Sequence, residues 1–153
     1  MVEVTHVLVG VAIATNTANP ALALPLAFAS HFVLDMLPHW NPHIYTQMKT
    51  FGRINGKTTA LIAIDSFLAL LIGLTFALQR SGDFGQMMII LLGAFFAVLP
   101  DLLEAPYYFL GVKHPLIVKL VDFEHSLQTK APLIPGILTQ VAVAVAALWW
   151  ILV

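Results

Sequence analysis

The sequence predicts an all-α integral membrane protein that forms a single helical transmembrane domain over residues 1–153. Hydrophobic residues make up 59% of the chain and charged residues 10%, whereas an ordinary soluble domain has roughly 45–50% and about 25%. The mean hydropathy is +0.90. A soluble fold of this size could not bury so much apolar surface, and a formal charge of −1 leaves no strongly basic face. We therefore expect neither a disordered chain, nor a nucleic-acid-binding protein, nor a soluble enzyme.

Three segments are long and apolar enough to cross a membrane, which takes about 20 residues of helix. They cover residues 59–78, 86–103 and 132–153. The first contains one charged residue, Asp65, the second is apolar until Asp101, and the third has no charge. We predict a spanning helix for each.

Two shorter apolar segments precede them, at residues 4–15 and 21–37. Asn19 before Pro20 predicts an N-cap and a first helical position for the second segment. The first segment is only about 18 Å long at 1.5 Å per residue. We predict a helical hairpin in which one or both helices are short or tilted, so that the chain has about five transmembrane helices.

The basic residues set the predicted orientation. The two long loops, residues 39–58 and 106–131, each contain three Lys or Arg residues, and the turn at 80–85 contains only Arg80. Because basic loops stay on the cytoplasmic side, we predict an N-in/C-out topology in the inner (plasma) membrane. Within the second loop, residues 114–127 are expected to form a short interfacial helix.

The ionisable residues of the apolar segments lie toward the predicted cytoplasmic end, and the outer halves contain none. An Asp near the bilayer centre costs about 2.5–3.5 kcal/mol, so such residues normally mark a bound partner or a functional pathway. No Lys or Arg lies in the five segments to balance this charge. A divalent metal, Zn or Mn, would balance it, since imidazole and carboxylate are its usual ligands. The predicted metal ligands are His6, His31, Asp35, His39, Asp101 and His125.

Local spacing supports this metal site. His31 and Asp35 are four residues apart and therefore share a helix face. A proline is expected to end their helix, which leaves His39 free to turn back over the site. Asp101 and Glu104, three residues apart, also share a face.

The same residues have structural interpretations that do not involve a metal. These are a hydrogen-bonded pair for His31 and Asp35, a capping or interfacial role for His6, an interhelical hydrogen bond for Asp65, and solvated interfacial charges for Glu104 and Glu124. The sequence leaves both sets of interpretations open.

Three short motifs carry a family resemblance: Thr5-His6-x-x-x-Gly10, Leu99-Pro100-Asp101 and His125-Ser126. They resemble motifs of the bacterial membrane-bound metal-dependent hydrolases (YdjM-like), and residues 30–40 resemble a related uncharacterised branch of small membrane proteins. Leu103 and Ala105 stand where that family has Asp and His, and the family's His-Arg pair upstream of His125 is missing here. The resemblance implies metal-dependent hydrolysis. Asp35 and His39 are our own candidates to replace the missing ligands.

The predicted function is a metal-dependent hydrolase whose cytoplasm-facing His/Asp site acts on a lipid or phosphoester at the membrane interface. Glu104 or Asp65 is the predicted general base. The alternative is a non-enzymatic membrane protein, either an ion or proton carrier or a structural partner subunit, whose polar residues form a structural network. Gly73, Gly93 and the Ala-rich last segment are compatible with close helix packing or with a homo-oligomer.

Overall fold

A computed structural model shows an all-helical chain and describes residues 1–17 and 19–153. Seven α-helices occur in these residues, and the only β-type pairing among them is an isolated bridge between His39 and Lys130. The helices are α1 (Glu3–Asn16), α2 (Pro20–Asp35), α3 (Ile44–Phe51), α4 (Gly56–Leu78), α5 (Phe84–Leu110), α6 (Pro115–Leu127) and α7 (Leu133–Leu152). The predicted all-α class is confirmed.

Three helices, α4, α5 and α7, are long and apolar enough to cross a membrane. They mark the chain as a helical membrane protein. The first two helices have 14 and 16 residues, or about 21 and 24 Å at 1.5 Å per residue. α5 is longer than the predicted 86–103, because it continues through Pro100 and Pro106 to Leu110.

The short first helix is the centre of the bundle. α1 packs against α2, α4, α5 and α7. Val7 and Val11 contribute to a core shared with α4 and α5, while Leu8 and Ala12 pack against Ala147 of α7. A helix that is apolar all round is expected to be enclosed, and this enclosure carries the N-terminal end of α1 into the protein interior.

Glycine allows α1 and α5 to approach closely. A Cβ atom added to Gly10 would lie 2.6 Å from the carbonyl oxygen of Gly93, and one added to Gly93 would lie 2.6 Å from the Cβ of Ala14. Neither distance can accommodate a side chain, so the contact requires glycine on both helices. Small residues at such a contact are typical of helix pairs in membranes.

The two shorter amphipathic helices cover one end of the bundle. Tyr107 and Tyr108, near the end of α5, form a buried cluster with Val121 of α6, and Ile44 and Met48 of α3 pack against it. α3 was not predicted, whereas the helix expected at 114–127 is present as α6. The two helices enclose the end at which the polar residues collect.

Candidate metal centre

The fold brings seven ionisable side chains from five parts of the chain together. His6 lies on the first turns of α1, and α2 contributes residues from its last turns. α5 contributes two carboxylates beyond its middle, α6 contributes one, and the segment after α2 contributes the last imidazole. We call this group the polar cluster; it consists of His6, His31, Asp35, His39, Asp101, Glu104 and Glu124.

Asp35 connects the three imidazoles of the polar cluster. Its Oδ1 atom lies 3.5 Å from the Nε2 of His6 and 3.7 Å from the Nε2 of His39, and its Oδ2 atom lies 3.9 Å from the Nε2 of His31. The amino group of Met1 and the side-chain amide of Gln128 also contact the carboxylate. The predicted i,i+4 relation of His31 and Asp35 is therefore present on the inner face of α2.

Backbone carbonyl groups orient the imidazoles of His31, on α2, and His39, just after α2. The Nδ1 of His31 lies 2.8 Å from the carbonyl oxygen of Ala97, and the Nδ1 of His39 lies 2.8 Å from that of Leu37. A ring whose Nδ1–H donates to a carbonyl has a free lone pair on Nε2. Metal-binding histidines are commonly held in this way. Burial also lowers the pKa of His39, which favours the neutral, ligating form.

Several polar atoms of the cluster are buried without a hydrogen bond from any described residue. They are both ring nitrogens of His6, the Nε2 atoms of His31 and His39, the Oε1 of Glu104 and both carboxylate oxygens of Glu124. The three imidazoles are fully buried. Each unsatisfied buried group costs about 1–3 kcal/mol, and more when it is charged. A cation at the centre of the cluster would satisfy the imidazoles and the carboxylates together.

Two overlapping sets of three residues have ligand atoms close enough to share an ion. In each set, one ligand atom per residue lies within 4.8 Å of the others. The histidine set consists of His6, His31 and Asp101, and the carboxylate set consists of Asp101, Glu104 and Glu124. Asp101 belongs to both, and its Oδ2 lies 3.8 Å from the Nε2 of His31.

Glu124 belongs to the site although the sequence suggested a solvated charge. It is only 2% exposed, and its Oε2 lies 4.0 Å from the Nε2 of His31. Burial, together with the nearby Asp101 and Glu104 carboxylates, raises the pKa of Glu124 to about 10. Helix periodicity was the available signal, because Glu124 lies three residues after the buried Val121 on the apolar face of α6.

Asp65 and His125 lie outside both sets. The carboxylate of Asp65 accepts hydrogen bonds from the backbone N–H groups of Glu3 at 2.7 Å and Val4 at 3.3 Å, so it caps α1. The ring of His125 stacks on Tyr45, with the centroids 3.6 Å apart and the planes at 8°. The roles predicted for these two residues, general base and metal ligand, stay predictions.

A cavity connects the polar cluster to the outside. It has an empty volume of about 1060 Å³ including its open mouth, and Asp101 and Glu104 line it on one side. Asp65, His125 and Lys130 line it elsewhere. The side chain of Asp101 is 28% exposed, so the cluster is accessible through the residue that its two sets share.

An apolar groove continues from this cavity between α4 and α5. Its empty volume is about 690 Å³, and small residues line it at Ala69, Gly73 and Ala94. The cavity and the groove have Glu3, Ser66 and Leu102 in common. The site therefore has a polar compartment and an adjoining apolar one along two membrane-type helices.

The fold and the site together define a helical membrane protein with a buried histidine–carboxylate cluster at one end. No protein-family model, no curated protein and no solved structure matches the chain. Since one fold can host many activities, the function must be inferred from the chemistry of the site.

Proposed function

We propose that the protein is a metal-dependent hydrolase that acts on a lipid ester or lipid phosphoester at the cytoplasmic membrane interface. One observation carries the proposal: buried imidazole Nε2 atoms without a hydrogen bond from the described residues face carboxylates, while backbone carbonyls orient the rings of His31 and His39. This arrangement is common to metal-binding histidines.

The residues have distinct roles in this proposal. His6, His31 and Asp101 hold a divalent cation, Zn²⁺ or Mn²⁺, which supplies Lewis acidity and activates water at neutral pH. Asp35 and His39, whose Oδ1 and Nε2 atoms lie 3.7 Å apart without a hydrogen bond, are further ligands of the same ion. Glu104, which is buried and lines the cavity beside Asp101, serves as the general base that accepts the proton of the attacking water.

The lipid substrate is inferred from the two adjoining compartments. An amphipathic molecule would place its ester group in the cavity beside Asp101 and its acyl chain in the groove along Ala69 and Gly73. The groove is lined by residues of α4 and α5, two of the helices suited to crossing a membrane. A substrate could therefore enter from the bilayer without leaving the apolar phase.

The membrane arrangement forms part of the same proposal. With α1 and α2 as short or tilted crossings, the chain has five transmembrane helices and an N-in/C-out orientation. The basic loops support this orientation through the positive-inside rule. The polar cluster and the covering helices α3 and α6 then lie at the cytoplasmic side of the inner membrane.

A structural network is the second candidate function. It is favoured by the Asp35 carboxylate, which contacts the Met1 amino group and lies within 4.0 Å of three imidazoles. Protonated histidines and carboxylates could balance one another in such a network. The protein would then be a non-enzymatic membrane component, and it would contain no stoichiometric metal.

Metal analysis of detergent-purified protein distinguishes the two candidates. Wild-type protein is expected to contain near-stoichiometric Zn or Mn, and the His31→Ala/Asp35→Ala variant should lose it together with any lipid hydrolysis. The matched control is His114→Ala/Asp122→Asn, which also removes one imidazole and one carboxylate, both exposed. A wild-type protein without metal after growth with Zn and Mn, equal to the double variant in stability, would refute the hydrolase proposal.

A further inference from the structure

We propose that the carboxylate set, Asp101, Glu104 and Glu124, binds a second divalent cation, so that two ions share the Asp101 carboxylate. This inference rests on the proposed function, because the first ion is the one assigned to the histidine set. The centre would then be binuclear, and a phosphoester would be favoured over a carboxylic ester as the substrate.

The geometry supplies three oxygen ligands from two helices, and Glu104 would bind the ion through one carboxylate oxygen while its other oxygen accepts the proton of the attacking water. One carboxylate oxygen from each residue lies within 4.8 Å of the other two. Glu104 is 5% exposed and Glu124 is 2% exposed. The Oε1 of Glu104 and both oxygens of Glu124 accept no hydrogen bond from residues 1–17 or 19–153. Such buried, unsatisfied oxygens require a positive partner or a proton.

Basic side chains do not provide that partner. Within the described part of the chain, the only Lys or Arg within ion-pair distance of a carboxylate is Lys49, which pairs with the exposed Asp122. The imidazole nearest to the carboxylate set is His31, whose Nε2 lies 4.0 Å from Glu124 and 3.8 Å from Asp101. Its lone pair is already assigned to the first ion. A proton neutralises one carboxylate at a time, whereas a second cation is a single partner that matches three converging carboxylates.

Asp101 is suited to joining two ions. It is the residue common to both sets, and a carboxylate has two oxygens that can bind separate cations. Two-metal hydrolytic sites hold their ions about 3.5–4 Å apart. Asp101 also lines the cavity, so both ions would be reached from the same compartment.

The two positions differ in ligand chemistry. The histidine set offers two imidazole nitrogens and suits Zn²⁺ or Mn²⁺, whereas the carboxylate set offers only oxygen and suits Mn²⁺ or Mg²⁺. Mn²⁺ is the ion that fits both positions. A binuclear Mn²⁺ centre is therefore the expected state of the protein when manganese is supplied.

A binuclear centre favours a phosphoester over a carboxylic ester as the substrate. Two-metal sites stabilise the attacking and the leaving oxygen of an in-line displacement. In the hydrolysis, the water oxygen forms a bond to phosphorus, the bond from phosphorus to the alcohol oxygen breaks, and that oxygen receives a proton originating from the water. No oxidant or reductant is needed. The groove along α4 and α5 would take the acyl chain of such a lipid.

Manganese loading tests the second site independently of activity. Metal-free protein in detergent is loaded with Mn²⁺, freed of excess ion, and examined by elemental analysis and electron paramagnetic resonance. We expect two Mn²⁺ per chain with the spectrum of a spin-coupled pair. Glu104→Gln should retain one ion with the spectrum of isolated Mn²⁺, and the exposed control Asp122→Asn should retain the coupled pair.

The outcomes separate this inference from the proposed function. One uncoupled ion in both wild type and Glu104→Gln would overturn the second site and leave the hydrolase proposal intact. No ion in the wild type would overturn both. Two ions in Glu104→Gln would also overturn the assignment of the ligands. If Glu104→Gln does not fold, Glu124→Gln takes its place, with the same single, uncoupled ion as the expected result.

Discussion

The apolar half of the bundle and its polar end differ in how their buried atoms are accommodated: the first is closely packed, whereas the second leaves several polar atoms of the described residues without hydrogen bonds. Around Gly10 and Gly93, α1 and α5 touch along their backbones, and the surrounding side chains are small and apolar. At the polar cluster, imidazole nitrogens and carboxylate oxygens are buried without partners among the described residues. The first region contributes stability, whereas the second costs free energy in the protein alone. Buried polar atoms without hydrogen-bond partners usually mark a functional site.

The largest expected effect is in the apolar half. Gly93→Ala should lower the free energy of unfolding by about 2–3 kcal/mol, because the added methyl group meets Ala14 and the backbone of Gly10, and overpacking is costly. At Gly73 the nearest atom would be the Ala94 Cβ at 3.3 Å. Gly73→Ala should therefore cost less than about 1 kcal/mol, since the better helix propensity of Ala offsets the crowding.

Denaturation in mixed micelles, followed by circular dichroism, measures these differences. Gly82→Ala serves as the control, because no atom lies within 4 Å of the added Cβ among the described residues. Equal losses in all three variants would contradict this prediction, because the close contact of α1 and α5 would then contribute nothing specific to the free energy of unfolding.

The apolar half was more predictable from the sequence than the site was. Hydrophobic length alone identifies α4, α5 and α7, since each run of residues must match the bilayer. The His31–Asp35 pair follows from helix periodicity, and its convergence with Asp101 follows from placing the polar residues at one end. These inferences need only local sequence and topology.

The rest of the site depends on tertiary packing that the sequence does not encode locally. Glu124 is a ligand candidate because α6 turns its apolar face onto α5, and a single buried carboxylate on an interfacial helix resembles a surface charge in the sequence. Asp65 lies at the right depth for the cluster, yet it caps α1, because α4 passes beside Glu3 and Val4. Both outcomes depend on how the helices are positioned relative to one another.

A smaller effect is expected at the polar end when the metal is removed. With a chelator present, Glu124→Gln should be about 1–3 kcal/mol more stable than wild type at pH 8, because folding at this pH must either protonate Glu124 or bury its charge, and Gln avoids that cost. Burial raises the folded-state pKa of Glu124 from 4.5 to about 10. A carboxyl group of this kind leaves stability intact below its unfolded-state pKa and reduces stability as the pH rises toward the folded-state pKa.

The pH dependence of unfolding in chelator therefore tests the polar end. The Glu124 contribution to wild-type stability should fall as the pH rises from 4.5 toward 10, and Glu124→Gln should lack this part of the slope. Asp122→Asn, an exposed carboxylate on the same helix, should keep the wild-type slope. Identical slopes for wild type and Glu124→Gln would show that the Glu124 carboxylate is solvated and would remove it from the polar cluster.

The smallest effect is expected at Asp65, where the two regions meet. Asp65→Ala removes the acceptor for the Glu3 and Val4 N–H groups, and losing a helix cap costs about 1 kcal/mol. Asp83 is the N-cap residue of its own helix, α5, with its Oδ1 3.0 Å from the Gln86 nitrogen, and Asp83→Ala is the control for the loss of a helix cap. We expect similar stability losses and full metal content in both variants. Metal loss confined to Asp65→Ala would place Asp65 in the polar cluster. Loss of hydrolysis with full metal content would instead indicate that Asp65, rather than Glu104, is the general base.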